Sequence, residues 1–320
     1  MIKLALVSPC YNESEIISDS ARELNEVIER LISQKVISSD SIIIFVNDGS
    51  TDNTWQLITE LHKDNERICG INLRNNVGHQ NAILAGMLET YQQYDAIITI
   101  DADLQDDLTV IDSMLTEYKN GAEIVYAVKK NRIVDNAFKR FSAYVFYKAQ
   151  KICGINALQN HADFRLMSKT AVRELSLYSE RNIYLRGIIP ALGMRSTTID
   201  EEIQERRAGT SKYTLSKMIS LGCDGITSFS TAPINFIVYI GIFMMLIALA
   251  MFGYVLGSVF FSYTVPGWAS IMISLWFIGS VITLSIGTIG VYVGKIFTEV
   301  KRRPIYSILE KLGVHDDTLL

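Results

Sequence analysis

The first 128 residues alternate between short apolar runs and stretches in which apolar residues recur every three or four positions. Short β-branched runs predict buried strands, and the longer spacing predicts helices with one buried face. The predicted strands are 4–8, 41–47, 68–73, 96–101 and 123–127, and the predicted helices are 16–31, 55–61, 78–93 and 109–120. This alternation predicts an α/β fold, with a mostly parallel sheet and helices on both of its faces.

The pattern changes completely in the last third of the chain. From Gly225 to Gly294 there is no Asp, Glu, Lys, Arg or His. About 20 apolar residues suffice to span a membrane, whereas helices in the core of a soluble protein keep a polar stripe. We therefore predict a hairpin of two transmembrane helices, 236–261 and 269–297, with its turn at Pro266 and Gly267.

Positive charges flank this hairpin and set its predicted orientation. Lys212 and Lys217 precede it, Lys295 and Lys301 follow it, and the turn carries no charge. The positive-inside rule places both ends in the cytoplasm, which predicts a multi-pass protein of the cytoplasmic membrane. Glycines in both helices permit close packing, either within the hairpin or in a homo-oligomer. The predicted parts are a cytoplasmic α/β domain 1–210, a juxtamembrane amphipathic segment 211–232, transmembrane helices 233–297 and a cytoplasmic tail 298–320.

The formal net charge of −4 averages two opposite halves. Residues 1–128 carry a net charge of −13, and the rest of the chain carries +9. Residues 129–151 hold seven Lys or Arg against one Asp, with aromatic residues between them. Such a segment is typical of membrane-surface binding. It is also typical of nucleic-acid binding, but the neighbouring apolar run favours lipid. No GxGxxG motif occurs, which disfavours a dinucleotide cofactor.

A pair of carboxylates follows the predicted strand 96–101. Asp101 and Asp103 are two residues apart, so in extended chain they point to the same face. Paired carboxylate oxygens suit Mg²⁺ or Mn²⁺ that bridges phosphates. Asp106 and Asp107 follow directly, so the pair alone is equally consistent with a solvated acidic loop.

The context of this pair resembles a known family. The motifs Ser8–Glu13, Val46–Thr54, Arg74–Ala82 and Ile100–Asp106 occur in an order that resembles the family-2 glycosyltransferases of GT-A fold. Three downstream motifs are similar to those of polyprenyl-phosphate glycosyltransferases, namely the bactoprenol glucosyltransferases and the dolichol-phosphate mannose synthases. These motifs are Ala162–Met167, Tyr184–Gly187 and Arg206–Tyr213.

The resemblance implies a Rossmann-like GT-A catalytic domain and a role for each matching residue. The implied nucleotide-binding residues are Pro9, Tyr11, Asn12, Glu13, Asp48, Arg74 and Gly78. The implied ligands of Mg²⁺ or Mn²⁺ are Asp101, Asp103 and Gln105. The family often has two Asp residues where this chain has Asn47 and Asp48, so only one negative charge is kept there.

The resemblance also assigns catalytic residues and acceptor-binding residues. The implied catalytic residues are Asp103, Asp163 and Arg165, with Asp163 either a general base or a ligand of a sugar hydroxyl. The cations implied to bind the acceptor phosphate or the donor diphosphate are Lys129, Arg132, Lys139, Arg140, Arg206 and Lys212. His79 and His161 have no metal-ligand spacing and are interpreted as pocket-lining or structural.

The implied reaction is an inverting transfer of glucose from UDP-glucose to the phosphate of undecaprenyl phosphate at the cytoplasmic membrane face. The expected partners are a nucleotide sugar, this lipid and the membrane, and not nucleic acid. Three alternatives stay open. A processive polysaccharide synthase would carry an Arg-Trp pair, which none of the three Trp residues forms. An inactive membrane scaffold would have lost Asp101 or Asp103, and a nucleotidyltransferase would not need the hairpin.

Overall fold

A computed structural model describes residues 1–129, 161–178, 180–181, 184–201, 234–244, 246–247, 250 and 267–314. The chain divides into two compact units. The first consists of Met1–Lys148, Asn156–Leu215 and Arg303–Leu320, and the second of Ala149–Ile155 and Ser216–Arg302. The N-terminal and C-terminal parts of the chain therefore belong to the same unit.

The first unit is built on one eight-stranded sheet. In chain order its strands are β1 (Leu4–Cys10), β2 (Ile42–Asn47), β3 (Ile68–Leu73), β4 (Ala96–Thr99), β5 (Ile124–Lys129), β6 (His161–Ser168), β7 (Ser196–Glu201) and β8 (Ile308–Leu312). Their order across the sheet is β7-β5-β6-β4-β1-β2-β3-β8. The pairs β1–β2, β1–β4, β2–β3 and β5–β7 are parallel, and β3–β8, β4–β6 and β5–β6 are antiparallel. The predicted α/β fold with a mostly parallel sheet is confirmed.

Helices connect these strands. They are α1 (Ile17–Ser33), α2 (Thr54–Asp64), α3 (His79–Leu88), α4 (Val110–Lys119), α5 (Lys169–Ser176) and α6 (Leu185–Ala191). The four helices predicted in the first 128 residues are confirmed with small shifts of their ends. The largest shift is in α3, which ends at Leu88 because tight turns follow, such as the bond from the Thr90 N–H to the Met87 carbonyl.

The register of the parallel strands brings their carboxyl ends together. Cys10 at the end of β1 lies opposite Asn47 at the end of β2, and Asn47 lies opposite Asn72 near the end of β3. In sheets of this kind ligands bind beyond the carboxyl ends of the strands. The polar loops predicted from the sequence therefore meet at one edge of the sheet, which we call the carboxyl edge.

Close packing fixes α3 on the sheet. A Cβ atom at Gly86 would lie only 2.4 Å from Val7 Cγ1 and 2.8 Å from Val46 Cγ2, so the helix backbone sits directly on β1 and β2. Both strands are fully buried at these positions. This contact holds α3 against the sheet, and the first residue of the helix, His79, lies at the carboxyl edge.

The second unit contains an apolar helix, α8, at Trp268–Lys301, and a shorter one, α7, at Ile234–Met244. Within the described part of the chain, Phe277–Lys301 is the one helix long and apolar enough to cross a membrane, with a mean hydropathy of 1.7. The hydroxyls of Thr283, Ser285, Thr288 and Thr298 donate to carbonyls one turn earlier, as Thr288 does to Leu284, so these four are satisfied within the helix. The remainder of the predicted first span, and the segment 211–232, lie outside the described residues.

The predicted tail 298–320 contributes the strand β8, for which the sequence gives only a weak signal. The five residues of this strand include Glu310 and Lys311, so they do not form the apolar run that would predict a strand. β8 pairs with β3 from Gly70↔Leu312 to Leu73↔Ile308 and covers what would otherwise be the open edge of β3.

Candidate functional site

The loop after β1 and the loop after β2 are joined by hydrogen bonds. Asn12 adopts the left-handed conformation (φ 53°), which Asn tolerates better than most residues. Its Oδ1 accepts the N–H of Thr51 at 2.8 Å, and its own N–H donates to Ser50 Oγ at 2.9 Å. The Glu13 N–H donates to Thr54 Oγ1 at 3.0 Å. The two loops therefore form one rigid wall at the carboxyl edge.

Asp48 ties this wall to the loop that follows β3. Its carboxylate is buried, and it accepts the N–H groups of Val77 at 2.7 Å and Gly78 at 3.0 Å. Burial leaves the pKa of Asp48 above its usual value, because these two bonds lower it by less than burial raises it. The carboxylate thus holds the loop 74–78 in place, which is a structural task that the sequence does not reveal.

The other residues predicted to bind the nucleotide lie around this junction. Pro9 is buried within β1, whereas Tyr11 is 40% exposed just beyond its end. The Arg74 side chain is exposed, and the backbone N–H of Arg74 donates to the Ser307 carbonyl at 2.8 Å. The structure therefore brings the predicted nucleotide residues to one edge, and their role in binding stays a prediction.

Asp101 and Asp103 occupy a strained turn beyond β4. The turn is closed by a bond from the Leu104 N–H to the Asp101 carbonyl at 3.2 Å, and Leu104 has a positive φ of 45°. Such a conformation costs a bulky residue free energy and is often kept at functional sites. Gln105 Nε2 donates to Asp103 Oδ2 at 2.6 Å, so the amide orients that carboxylate.

The Asp101 carboxylate fits a site for a divalent cation. Its Oδ1 atom is shielded from solvent and accepts no hydrogen bond of good geometry from the described residues, and its nearest cation is His79, whose Nε2 lies 3.3 Å away. Burial raises the pKa of Asp101 to about 6; the nearby His79 lowers it, and the Asp163, Asp106 and Asp103 carboxylates raise it. A bound cation would relieve this repulsion.

The protein supplies only part of such a coordination sphere. Across the described ranges, no cluster of three or more His, Cys, Asp or Glu side chains is arranged to hold a metal ion. Mg²⁺ is commonly bound through one or two carboxylates together with substrate phosphates. Asp101 and Asp103 therefore fit a cation that arrives with, or is completed by, a phosphate ligand.

Asp163 on β6 lies at the centre of a second cluster next to Asp101. Only 6% of the residue is exposed. Arg165 Nη2 donates to its Oδ1, and Arg186 binds both oxygens, with Nη2 3.0 Å from Oδ2 and Nε 3.3 Å from Oδ1. His79 Nε2 lies 3.4 Å from Asp163 Oδ2 and 3.3 Å from Asp101 Oδ1, so it connects the two carboxylates.

These partners determine the charge of Asp163. Burial alone raises its pKa, but the hydrogen bond from His79 and the charges of Arg165 and Arg186 hold the pKa well below its usual range. Burial lowers the pKa of His79, but Asp163 and Asp101 raise it by a larger amount, so the pKa of His79 lies above its usual value. Asp163 is thus an ionised group that binds protons weakly, which makes it a poor general base near neutral pH.

Two members of this cluster were missed by the sequence analysis. His79 was interpreted as pocket-lining or structural, and Arg186 received no role although its motif was recognised. A signal for His79 exists, because it directly follows Gly78 at the predicted start of a helix at the carboxyl edge. Arg186 lies more than 20 residues from Asp163 in the chain, and only the fold brings them together.

The predicted acceptor-binding cations lie mostly beyond the described residues. Lys129 is the last residue of β5, and the structure describes its backbone position only. The others fall outside the described part of the chain, and they are Arg132, Lys139, Arg140, Arg206 and Lys212.

We predict that Asp163→Asn destabilises the protein, whereas Asp103→Asn does not. Asp163→Asn leaves the fully buried Arg165 without its counter-ion, and such a loss costs about 3 kcal/mol or more. Asp103 is only partly buried and contacts Gln105, so its carboxylate carries little of the folding free energy. Thermal and urea unfolding of the two variants beside the wild type measures the difference.

The pH dependence follows from the lowered pKa. The stabilisation by Asp163 is fully present above its unfolded-state pKa of about 3.9 and declines only as the pH falls below that value. The part of the stability gap between the wild type and Asp163→Asn that comes from Asp163 itself should therefore be full at neutral pH and shrink only in acid. The part that comes from the raised pKa of His79 is full below about pH 6.5 and is lost as the pH rises through that raised pKa. Equal stability of the two proteins at pH 7 would contradict this account of the cluster.

We predict that Gly49→Ala and Gly78→Ala both destabilise the protein, for different physical reasons. A Cβ at Gly49, which has a φ of 63°, would lie 2.7 Å from backbone atoms of Asn75 and Asn76. Nothing lies within 4 Å of a Cβ at Gly78, but its φ of 91° and ψ of 153° fall in a region that is essentially restricted to glycine. Unfolding should show a loss of about 1–3 kcal/mol for each variant, and a stability equal to that of the wild type would contradict the corresponding constraint.

Comparisons with known proteins identify the family of this chain. Residues 5–176 match the family described as glycosyl transferase family 2. The chain is 46% identical over 306 residues to the uncharacterized glycosyltransferase YkoT of Bacillus subtilis (strain 168), covering 95% of this chain and 90% of that protein. It is 35% identical over 309 residues to the SfII prophage-derived bactoprenol glucosyl transferase of Shigella flexneri, covering 96% and 97%.

A solved structure with a similar arrangement is the glucosyl-3-phosphoglycerate synthase of Mycobacterium tuberculosis in complex with Mn²⁺, UDP and glucosyl-3-phosphoglycerate. The TM-score is 0.43 at 13% identity, covering 71% of this chain and 78% of that chain. The family match spans more than half of the chain, and the relatives cover nearly all of it. This protein belongs to glycosyl transferase family 2 and is a glycosyltransferase.

Proposed function

We propose that this protein transfers glucose from UDP-glucose to the phosphate of undecaprenyl phosphate, with inversion at the anomeric carbon. The observation that carries the proposal is the extent of the similarity to a bactoprenol glucosyl transferase. It covers 96% of this chain, and therefore includes the apolar helix α8 as well as the α/β unit. A long prenyl chain stays in the lipid, so an enzyme that acts on its phosphate must work at the membrane surface.

The donor site is proposed at the carboxyl edge. Tyr11, Asn12 and Glu13, with Pro9 behind them, would contact the nucleotide together with Asp48, Arg74 and Gly78. The hydrogen bonds from Asn12 to the β2–α2 loop and from the loop 74–78 to Asp48 support this assignment, because they build a pre-ordered wall. Pre-ordered loops bind a ligand with a smaller entropic cost.

Mg²⁺ or Mn²⁺ would be held by Asp101 and Asp103, with Gln105 orienting Asp103. A divalent cation at this position neutralises the charge that develops on a nucleoside diphosphate as it leaves. The crowding of the Asp101 carboxylate by Asp163, Asp106 and Asp103, against the neighbouring cation His79, supports the assignment.

The proposed acceptor makes a strong base unnecessary. An oxygen of the prenyl phosphate attacks the anomeric carbon while the bond to the diphosphate oxygen breaks. A phosphate monoester with a second pKa of about 6 is already largely ionised at pH 7. Arg165, Arg186 and His79 hold Asp163 in its charged form. Asp163 therefore positions these three side chains and does not need to accept a proton.

The cations proposed to receive the lipid phosphate begin at the same edge of the sheet. β5 runs antiparallel to β6, which runs antiparallel to β4, so the last residue of β5, Lys129, and Asp101 beyond β4 lie at the same edge. Arg132 follows closely in sequence, and the remaining proposed cations are Lys139, Arg140, Arg206 and Lys212.

The two-span topology is also part of the proposal. The strands before and after the apolar segment, β7 (Ser196–Glu201) and β8 (Ile308–Leu312), belong to one sheet. Both ends of the intervening segment are therefore on one side of the membrane, so it crosses an even number of times. If Phe277–Lys301 crosses once, a second crossing must precede it, as the predicted span 236–261 provides. The cytoplasmic orientation and a homo-oligomer stay predictions.

The direct test is a transfer assay. Purified protein in detergent is incubated with undecaprenyl phosphate, Mg²⁺ or Mn²⁺, and a panel of UDP- and GDP-sugars, and the lipid product is weighed by mass spectrometry. We expect a hexosyl-phosphoryl-undecaprenol with UDP-glucose and little product with the other donors. Chelation of the metal, or Asp103→Asn, should abolish the product because either change leaves the diphosphate charge without its cation.

The matched control is Asp107→Asn, which changes an acidic residue just outside the turn and should keep activity. If a polymer forms, the protein is a processive synthase. If no glycolipid forms with any donor although the wild-type protein is folded, the proposed function is wrong.

A further inference from the structure

The residues after the apolar helix α8 grip a single segment of the α/β unit at both of its ends. Ser307 accepts the N–H of Arg74 through its backbone carbonyl at 2.8 Å. Tyr306 donates its hydroxyl to Glu89 Oε1 at 2.8 Å, and Lys311 Nζ lies 2.8 Å from Glu89 Oε2. We call the residues Tyr306–Gly313 the C-terminal clamp.

These contacts are better shielded than those of ordinary surface groups. The side chains of Lys311 and Glu89 are only 16% and 22% exposed, so solvent weakens their attraction less than that of a fully exposed pair. Burial raises the pKa of Tyr306, so its hydroxyl stays protonated and donates to Glu89.

The far end of the clamp is fixed by close packing. Gly313 has a φ of 68°, and a Cβ there would lie 2.7 Å from Cys69 Sγ and 2.8 Å from His62 Cε1. Between the two fixed ends, β8 forms its ladder with β3. The clamp is therefore anchored along its whole length to β3 and the elements beside it.

The gripped segment, Arg74–Glu89, contains the loop 74–78 and helix α3. It carries Arg74 and Gly78, which are proposed to bind the nucleotide, and His79, which connects Asp101 to Asp163. Asp48 holds the loop from the inside, and the clamp holds it from the outside.

A second connection runs from β8 through the strands. Glu310 lies opposite Asn72 in the β3–β8 ladder. The Asn72 Oδ1 accepts from Asn47 Nδ2 at 2.8 Å, and Asn47 Oδ1 accepts the Ser50 N–H at 3.3 Å. Asn72 and Asn47 are both buried, so β8 covers the strand on which this chain of hydrogen bonds depends.

We propose that the C-terminal clamp is a positioning element of the nucleotide site, so that residues immediately following the membrane helix set the affinity for the donor nucleotide. The inference rests on the proposed function for the assignment of the loop 74–78. A loop that is ordered before binding is fully competent, whereas a released loop lowers the apparent affinity by the fraction of molecules in which it is misplaced.

The test uses the full-length chain and two sets of substitutions. The double variant Tyr306→Phe with Lys311→Met removes both side-chain contacts to Glu89 and keeps the apolar bulk of each residue. We expect the Kd for UDP with Mn²⁺, measured by calorimetry, to rise roughly threefold to tenfold, as the loss of one or two hydrogen bonds implies. The KM for the nucleotide sugar should rise by a similar factor, and kcat should stay within about twofold.

The matched control is Arg30→Met. It also removes an ion pair between two elements of the α/β unit, from Arg30 Nη2 on α1 to Asp112 Oδ2 on α4 at 2.7 Å, but neither residue belongs to the clamp or to the gripped segment. We expect an unchanged Kd, and amide hydrogen exchange should be faster at Arg74, Val77 and Gly78 in the double variant only.

The outcomes separate the two proposals. An unchanged Kd in the double variant, or an equal rise in Arg30→Met, overturns the clamp. A fall in kcat with an unchanged KM overturns it as well. If the wild type binds neither UDP nor GDP, the proposed function fails. Amide hydrogen exchange still tests the clamp in that case, because unchanged exchange at Arg74, Val77 and Gly78 in the double variant would overturn it.

Discussion

A carboxylate that is almost entirely removed from water can remain ionised only if cations surround it, and Asp163 is surrounded by three. Arg165 comes from the same strand, Arg186 from α6 and His79 from the first turn of α3. The ion cluster therefore fixes two helices against β6 and, through His79, against Asp101. If Asp163 lost its charge, the buried arginines would be left without a counter-ion at a large cost in free energy. The arrangement of the carboxyl edge therefore depends on Asp163 staying charged.

The same arrangement explains why a prenyl phosphate is a suitable acceptor. A carboxylate with a strongly lowered pKa accepts protons poorly, so it could not activate a sugar hydroxyl efficiently. A phosphate needs no such activation, since it brings its own negative charge to the reaction. In the proposed reaction the metal, the donor loops and the acceptor cations then supply positioning and charge compensation, and the proposed C-terminal clamp adds a contribution from the residues that follow α8.

The sequence predicted the strands and helices of the first 128 residues because each buries a regular apolar face, as Leu4–Cys10 and Ile17–Ser33 do. It also predicted that Asp48 and Asp101 lie at one edge, because parallel strands align their ends. It could not show that Asp48 holds Val77 and Gly78, since a carboxylate gives no signal of its partners. Arg186 and β8 were missed for the same reason, because both act through residues distant in the chain.

The charge of Asp163, which its cationic partners are expected to maintain near neutral pH, can be measured directly. Infrared spectra of the full-length protein with ¹³C-labelled aspartate, recorded as the difference between the wild type and Asp163→Asn, isolate the stretching bands of this one side chain. Between about pH 5 and pH 8, where an Asp of raised pKa would titrate, the account predicts a carboxylate band of constant intensity, with and without UDP and Mn²⁺. A protonated carboxyl band that appears within this range would contradict it.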